Sequence, residues 1–487
     1  MDAMRYTWLL WFFSGVCLLL SQLNKAFWPL VFVGIAVFIF LSIYTKSQKE
    51  ILAYSLIVGA LKAGGGYMWI WEAFPIGWIQ DYGLVTQVLF FGSFYLGIIL
   101  FNGLGLVLVG YLLNRFCQKD IYLLILAPIY WVLGEVVGSL ALSIWLLGDG
   151  SFINAYLSHG YVGIPLANLD ILVPFAKLLG IYSLSYLAVL LSITIYLAIR
   201  NFKKYFWIPL GTVGVCVLVY LLFSYTYNDE LDTHRVVVID SQFDGVLSYS
   251  ETARGVKSNI FKQALIKAAI SNPDYILLPE DYVSLGLESN SVYENIKTAI
   301  PDFTGVVISM VAIPTDHGQV LRGMYHDFSN DHVYYKDKHF LAAQGEYLTY
   351  VYEGILKLLN LNQKLTDIKK VANFKLGTYI GDEIPDNFPL LMFCFNSSSA
   401  LGVMIDPGFS SSRPFIVNPV SHNAFHQPDI LWYQLGMLNK VQSIWTGKPV
   451  VVSANMSKSY MYKPNGQIDF GQELFTNNYY RLLEYRP

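Results

Sequence analysis

Seven apolar stretches occupy the first 228 residues of this 487-residue chain, at about 7–23, 27–44, 52–72, 83–113, 121–147, 176–199 and 205–226. No stretch long enough to cross a bilayer follows residue 230. A hydrocarbon layer is spanned by about 20 apolar residues in a helix, because lipid offers no partner to an unpaired backbone group. The pattern therefore predicts a helical membrane part followed by a water-soluble part. The first two stretches are short, and 83–113 has room for one long tilted helix or for a helix plus a re-entrant turn. Stretch 7–23 lacks a small-residue cleavage site and runs directly into another span, so it reads as an anchor and not as a removed signal. The composition agrees: 54% hydrophobic, 16% aromatic and 14% charged residues, with a mean hydropathy of +0.44.

Lysine and arginine placement orients the spans. Arg5, then Lys46 and Lys49, then Arg115 and Lys119, then Arg200, Lys203 and Lys204 fall on alternate loops, all on one side. The opposite loops offer Lys25, while 73–82 and 148–170 hold no lysine or arginine. By the positive-inside rule the N-terminus is cytoplasmic, residues 1–228 form a membrane domain of seven helices, and residues 229–487 lie outside. The first 228 residues hold 11 Lys+Arg and 8 Asp+Glu of the chain's 32 and 35, which leaves 21 and 27 beyond them. The soluble part is thus mildly acidic, at −6, and offers no basic surface for nucleic acid.

The junction is sharp: Tyr225-Thr-Tyr-Asn-Asp-Glu230 closes the last span and Arg235-Val-Val-Val-Ile-Asp240 opens a strand. Strands and helices then alternate. Lys257 to Ile270 has helical spacing, and 350–370 is helical and rich in Leu and Lys. Tyr275–Leu278, Gly305–Ile313, Pro414–Val417, Pro449–Val452 and Tyr460–Tyr462 read as strands. Leu321 to Phe340 reads as a hairpin, and Pro464-Asn-Gly466 as a hairpin turn. This alternation predicts an α/β domain with helices covering a central sheet core.

Cys394 is the one cysteine of the soluble part; Cys17, Cys117 and Cys216 lie in or beside apolar stretches. Outside the cytoplasm an unpaired thiol calls for a reason. The ordinary reason is a small buried hydrophobe. Cys394 ends an apolar run, Phe388 to Phe395, that reads as a buried strand. Glu280 ends another, Asp274-Tyr-Ile-Leu-Leu-Pro279-Glu280, and Lys336 and Lys338 alternate along one face of a third. A glutamate, a lysine and a cysteine at three strand ends divide the labour of acyl transfer: base, cation at the oxyanion, and nucleophile. Singly, each has a plainer reading, as a solvated turn carboxylate or a charged edge strand. His422, His426 and Asp429 lack the spacing of a metal site. Lys62, Glu72, Glu135 and Lys177 sit in or at the ends of spans, where charge is functional by default and snorkelling at the span ends is the alternative.

The order Pro279-Glu280, Lys, Gly345-Glu346-Tyr347, Cys394 resembles the nitrilase (carbon–nitrogen hydrolase) superfamily, and with seven spans ahead of it the chain is similar to its apolipoprotein N-acyltransferase family. Lys338-His-Phe-Leu-Ala-Ala-Gln-Gly-Glu346-Tyr347 matches that family's Lys…Gly-Glu-Tyr block without a gap. Val417-Asn-Pro-Val-Ser421-His-Asn-Ala424-Phe425, Tyr433-Gln434, Gly447-Lys-Pro-Val-Val451 and Ala454-Asn455 follow in the family's order. Trp131-Val-Leu-Gly-Glu135 and Gly180-Ile-Tyr-Ser-Leu-Ser-Tyr186 resemble blocks of its membrane part. The resemblance implies an extracytoplasmic αββα sandwich, held at the cell (inner) membrane by the spans. It implies a triad of Glu280 as base, Lys338 as cation and Cys394 as nucleophile, with Glu346 orienting the lysine or closing the loop and the Phe395 amide at the oxyanion. Lys336 is the alternative lysine, because the family's Tyr-x-Lys flank fits it behind Tyr334, whereas the gap-free register to Glu346 favours Lys338. The implied donor is a phospholipid, the acceptor is a diacylglyceryl-modified apolipoprotein, and no cofactor is required. The chain departs from the pattern in several places. Phe395-Asn396 stands where the family has Tyr-Glu, Gly138 where it has arginine, and Lys440, Gln442 and Trp445 where its helix carries Arg and Glu; its C-terminal span is missing. A membrane-anchored amidase and a catalytically inactive lipoprotein-binding homologue are the other readings these departures leave open.

Overall fold

The computed structural model describes residues 7–75, 83–200, 202–205, 207–224, 234–243, 251–280, 289–316, 318–377, 384–406, 408–423, 425–426 and 429–487. Each of the seven apolar stretches is helical: α1 (Thr7–Ser21), α2 (Leu30–Tyr44), α3 (Gln48–Gly66), α4 (Leu84–Phe116), α5 (Asp120–Trp145), then, after the short turns α6 (Gly163–Leu166) and α7 (Ala176–Leu179), α8 (Ile181–Arg200), the turn α9 (Phe202–Tyr205) and α10 (Trp207–Ser224). Among the described residues three helices, α4, α5 and α8, are long and apolar enough to cross a membrane by length and composition, and α1 and α2 are shorter apolar helices. Stretch 83–113 is one unbroken 33-residue helix, not a helix plus a re-entrant turn. Stretch 52–72 ends its α-helix early, at Gly66, and continues as a 3-10 turn, Met68–Ala73.

Small residues set the helix contacts. A Cβ on Gly105 of α4 would lie 2.0 Å from the Gly134 carbonyl of α5, so these two backbones touch directly. Apolar side chains gain little from meeting each other in place of lipid tails; close backbone approach is what packing in a bilayer rewards. Large rings fill the remaining space, with Phe38 edge-on to both Trp11 and Trp131.

The soluble half opens with β1 (Val236–Ser241), α11 (Glu251–Ile270), β2 (Tyr275–Leu277), α12 (Ser289–Ala299), β3 (Val306–Thr315), β4 (Gly318–Asp327) and β5 (His332–Asp337). It continues with α13 (Tyr350–Leu358), α14 (Asn362–Val371), β6 (Leu390–Leu391), β7 (Ile416–Ser421), α15 (Asp429–Thr446), β8 (Val450–Asn455), β9 (Tyr460–Tyr462), β10 (Ile468–Asp469), β11 (Gln472–Thr476) and β12 (Tyr480–Tyr485). The strands form two wings, β11-β12-β1-β2-β3-β4-β5 and β6-β7-β8-β9-β10, joined where Ser241 of β1 pairs with Asn455 of β8. β1 shows why: all six residues are buried, and alternate side chains face opposite layers. Val236 and Val238 meet Leu391, Val417 and Val451 of the second wing, whereas Val237 and Ile239 pack under α11 with Phe261 and Leu265. The second wing is covered by α15, which gives four layers, helix–sheet–sheet–helix. This is the expected αββα sandwich behind a helical membrane part.

The two halves share cores. Leu438, Val441 and Ile444 of α15, with Ala400, pack into the apolar cluster of α2, α5 and α8. Tyr352 and Leu356 of α13 pack with Phe90 and Phe94 of α4.

Several expectations need correction. The run Phe388–Phe395 is not one strand ending at Cys394. The ladder ends when the Met392 amide donates to the Val417 carbonyl (2.8 Å), and Cys394 opens a 3-10 helix, Cys394–Ser398. β5 stops at Asp337, so Lys338 stands beyond the strand that carries Lys336. Residues 350–370 make two helices, broken at Asn360, whose φ of +56° no α-helix accommodates. The 228/229 boundary and Ala424 lie outside the described residues.

Candidate active site

Three loops at one edge of the sandwich converge. Glu280 follows β2, whose residues and Leu278 are buried and carry it to the strand's carboxyl end, where α/β proteins gather their sites. Lys338 leaves β5 with its backbone pinned: its amide donates to the Leu321 carbonyl (2.8 Å), and the Gly377 amide donates to its own carbonyl (3.0 Å). Its side chain is 1% exposed, and Nζ donates to Glu280 Oε1 (2.9 Å) and Glu346 Oε1 (2.6 Å). The other oxygen of Glu346 accepts from the Ala342 amide (2.6 Å), and the Glu346 amide donates back to the Ala342 carbonyl (2.9 Å). One carboxylate thus holds both the lysine and the turn that follows it.

Cys394 lies within electrostatic reach of both Glu280 and Lys338, and the Ser421 amide is directed at its sulfur. The residue as a whole is only half-buried, while its sulfur is enclosed by the surrounding groups. Phe395 sits in the first turn of the 3-10 helix, whose first internal bond runs from the Asn396 amide to the Phe393 carbonyl (2.9 Å). The Phe395 amide therefore lies ahead of the helix's own ladder, beside the sulfur. Burial pushes the Cys394 thiol well above its ordinary value; Glu280 and Glu346 add to the rise, and Lys338 and the Ser421 amide oppose it. For Lys338, burial acts to lower the ammonium's pKa, but Glu280, Glu346 and Cys394 together outweigh it and the net direction is upward. Burial also raises Glu346, against the pull of Lys338. The site thus joins a thiol whose pKa is raised to a buried lysine whose pKa is also raised, with two glutamates sharing the lysine.

Of the two candidate lysines, Lys338 is the one that meets Glu280. Lys336 is equally buried but turns into the sandwich, where Nζ donates to both oxygens of Asp406 (2.6 Å each) and to the Leu391 carbonyl (2.7 Å). Burial lowers its pKa, partly offset by Asp406. Asp406 escaped the sequence analysis because nothing in Gly402-Val-Met-Ile-Asp406 marks a carboxylate bound for the interior. The Ser421 amide was equally invisible, since a backbone donor leaves no mark in a sequence.

An open cleft between the two halves reaches Phe395. Leu146, Phe152 and Leu157 line it from the helical half, and His339, Leu341 and Leu376 from the soluble half. Phe152, Tyr156 and Phe340 form an aromatic rim, with Tyr156 edge-on to Phe340 at 4.5 Å.

The remaining charged candidates do other work. Glu72 accepts the Ile430 (2.8 Å) and Leu431 (3.3 Å) amides, capping α15 from the helical half. Lys62 pairs with Glu135 (3.2 Å), both buried. His422 is buried and the His426 ring meets the Pro75 carbonyl (3.2 Å); among the described residues no three His, Cys, Asp or Glu side chains gather as a metal cluster.

A search of the curated proteins returns no match. Among solved structures, the chain is similar to a CN-hydrolase superfamily protein from Xanthomonas campestris, described with an arsenic adduct in its active site. The identity is 12%, over 52% of this chain and 89% of that one, with a TM-score of 0.33. Residues 14–194 match the family model described as the apolipoprotein N-acyltransferase N-terminal domain, so the helical half carries the sequence pattern of that family.

Proposed function

We propose that this protein is an acyltransferase that moves a fatty acyl chain from a phospholipid, through a thioester on Cys394, to the N-terminal amine of a diacylglyceryl-modified cysteine on an apolipoprotein. The observation that carries the reading is the Lys338 ammonium gripped by Glu280 and Glu346 next to the Cys394 sulfur, at the seam with the helical half. The family match over residues 14–194 supports a lipid-anchored substrate class.

Because burial raises the thiol pKa, the chemistry begins with proton removal. Glu280 takes the thiol proton as Cys394 Sγ attacks the ester carbonyl of the phospholipid. Lys338 and the Phe395 amide stabilise the oxyanion. The carbon–oxygen bond then breaks, and the lysophospholipid alcohol leaves with the proton from Glu280. In the second half, the acceptor amine attacks the thioester, Glu280 receives the amine proton, and the thiolate leaves and is reprotonated. An apolar cleft beside Phe395 suits an acyl chain, and anchoring both lipid substrates in one membrane raises their local concentration. In this reading residues 1–228 are the membrane domain with a cytoplasmic N-terminus, and 229–487 form the catalytic domain on the extracytoplasmic side, as the loop lysines and arginines indicate.

The test is intact-mass measurement of the full-length protein with phospholipid, before and after a diacylated lipopeptide is added. A fatty acyl adduct on Cys394 that passes to the peptide amine, and that Cys394→Ala abolishes, is the expected result. Hydrolysis of small amides with no such adduct would replace this reading with a membrane-anchored amidase.

A further inference from the structure

Buried charge inside the helical half leads, bond by bond, to the nucleophile. Lys62 of α3 and Glu135 of α5 pair at 3.2 Å with side chains 5% and 0% exposed. Glu135 Oε1 also accepts from the Val162 amide (2.8 Å) and, at 3.4 Å, from Trp131 Nε1. Val162 belongs to a segment, 157–163, wedged between the helices and the soluble half. The wedge is tight: Gly160 has φ +79°, and a Cβ on Gly66 of α3 would lie 2.3 Å from the Gly160 Cα. Ser139 of α5 holds the same segment, through the Leu157 carbonyl (2.5 Å) and the Tyr161 hydroxyl (3.0 Å).

On its other side this segment binds the chain that leaves Cys394. The Ser158 amide donates to the Ser398 carbonyl (2.9 Å), and Ser158 Oγ accepts from the Ala400 amide (2.6 Å). Leu157 and Ser399 form an antiparallel bridge. Ser398 ends the 3-10 helix that Cys394 begins, so the far end of the nucleophile's turn is fastened to the helical half. A carboxylate wholly inside the protein needs strong compensation. Here it has a lysine from another helix, and it spends a lone pair on one backbone amide of the strap.

We propose that Glu135 and Ser158 are positioning residues. Glu135, neutralised by Lys62, holds the Val162 amide and thereby fixes the 157–163 strap. Ser158 of the strap then fixes the turn that presents the Cys394 sulfur and the Phe395 amide to the reacting carbonyl. The proposal rests on the acyl-transfer reading for its assay. A sub-ångström shift of that turn moves the sulfur relative to Glu280 and Lys338 and lowers turnover without removing any group that touches substrate.

The experiment uses full-length protein in lipid nanodiscs, with kcat and KM for a diacylated lipopeptide measured separately and thermal unfolding followed in parallel. Ser158→Ala is expected to lower kcat about tenfold or more, with KM changed less than about twofold. K62M/E135L removes both charges and the acceptor oxygen, and is expected to lose kcat to a similar extent. K62M/E135Q restores an acceptor for the Val162 amide and is expected to recover most of that loss. Wild-type kcat in a folded Ser158→Ala or K62M/E135L protein would overturn the proposal, as would equal loss in the Gln and Leu double variants. If wild type transfers no acyl chain, the acyl-transfer reading fails on its own. The strap is then judged by the pH profile of Cys394 alkylation, which Ser158→Ala should displace and which an unchanged profile would decide against it.

Discussion

At the scale of single residues, the thiol and its neighbours oppose one another. Burial, Glu280 and Glu346 hold the Cys394 thiol protonated, while Lys338 and the Ser421 amide favour the thiolate. A raised thiol pKa means that the thiolate forms late, so alkylation of Cys394 by iodoacetamide should still be climbing above pH 9. Glu280 is among the groups that raise it, so Glu280→Gln should move that curve to lower pH. At pH 8 the rate should then rise about tenfold for each pH unit the curve moves. If the proposed acyl transfer uses Glu280 as its base, the same variant should lose that turnover. Faster alkylation with abolished turnover separates a base from a mere stabiliser of the thiolate; slower alkylation would contradict the assigned electrostatics. Cys394, Glu280, Lys338 and Glu346 were all legible in the sequence, since their types and spacing follow a family pattern. The choice of Lys338 over Lys336 rested on its gap-free register to Glu346 alone, because two lysines two positions apart carry the same local signal. Asp406, 70 residues further along, decided it by taking Lys336 into the core.

At the scale of elements, the helix contacts depend on missing side chains. Gly105 of α4 faces the Gly134 carbonyl of α5, with 2.0 Å available to a Cβ. Gly105→Leu should force the two helices apart, at a cost of about 1–3 kcal/mol or more. It should lower the unfolding midpoint in detergent while leaving α-helical content by circular dichroism near wild type; an unchanged midpoint would show that this contact is slack. Helix positions were read well from the sequence because hydropathy over about 20 residues is a strong, local signal. The end of β6 was not. An apolar run is equally compatible with a strand and with a buried turn, and only the partner strand shows where pairing stops. β7 offers its Val417 carbonyl to Met392, and the chain then turns into the helix of Cys394.

At the scale of the whole molecule, the two halves share buried surface. Ala400, Leu438, Val441 and Ile444 complete a core made mostly by the helices, and α13 packs Tyr352 and Leu356 against α4. Residues 229–487 expressed alone should therefore expose an apolar face, bind a hydrophobic dye and self-associate; a monodisperse, dye-negative fragment would show that the shared core is dispensable. Taken alone, the sequence determined that there is a helical membrane part and an α/β part, roughly where each helix runs, and which residue types are available for acyl chemistry. Those properties rest on periodicity, composition and spacing, which are local. The tertiary structure decided which lysine meets Glu280, where the turn of Cys394 begins, and that the buried Glu135 carboxylate of α5 is tied to that turn through residues 157–163. Each of these depends on groups brought together from distant parts of the chain, and that meeting is made by packing, which leaves no local trace in the order of the amino acids.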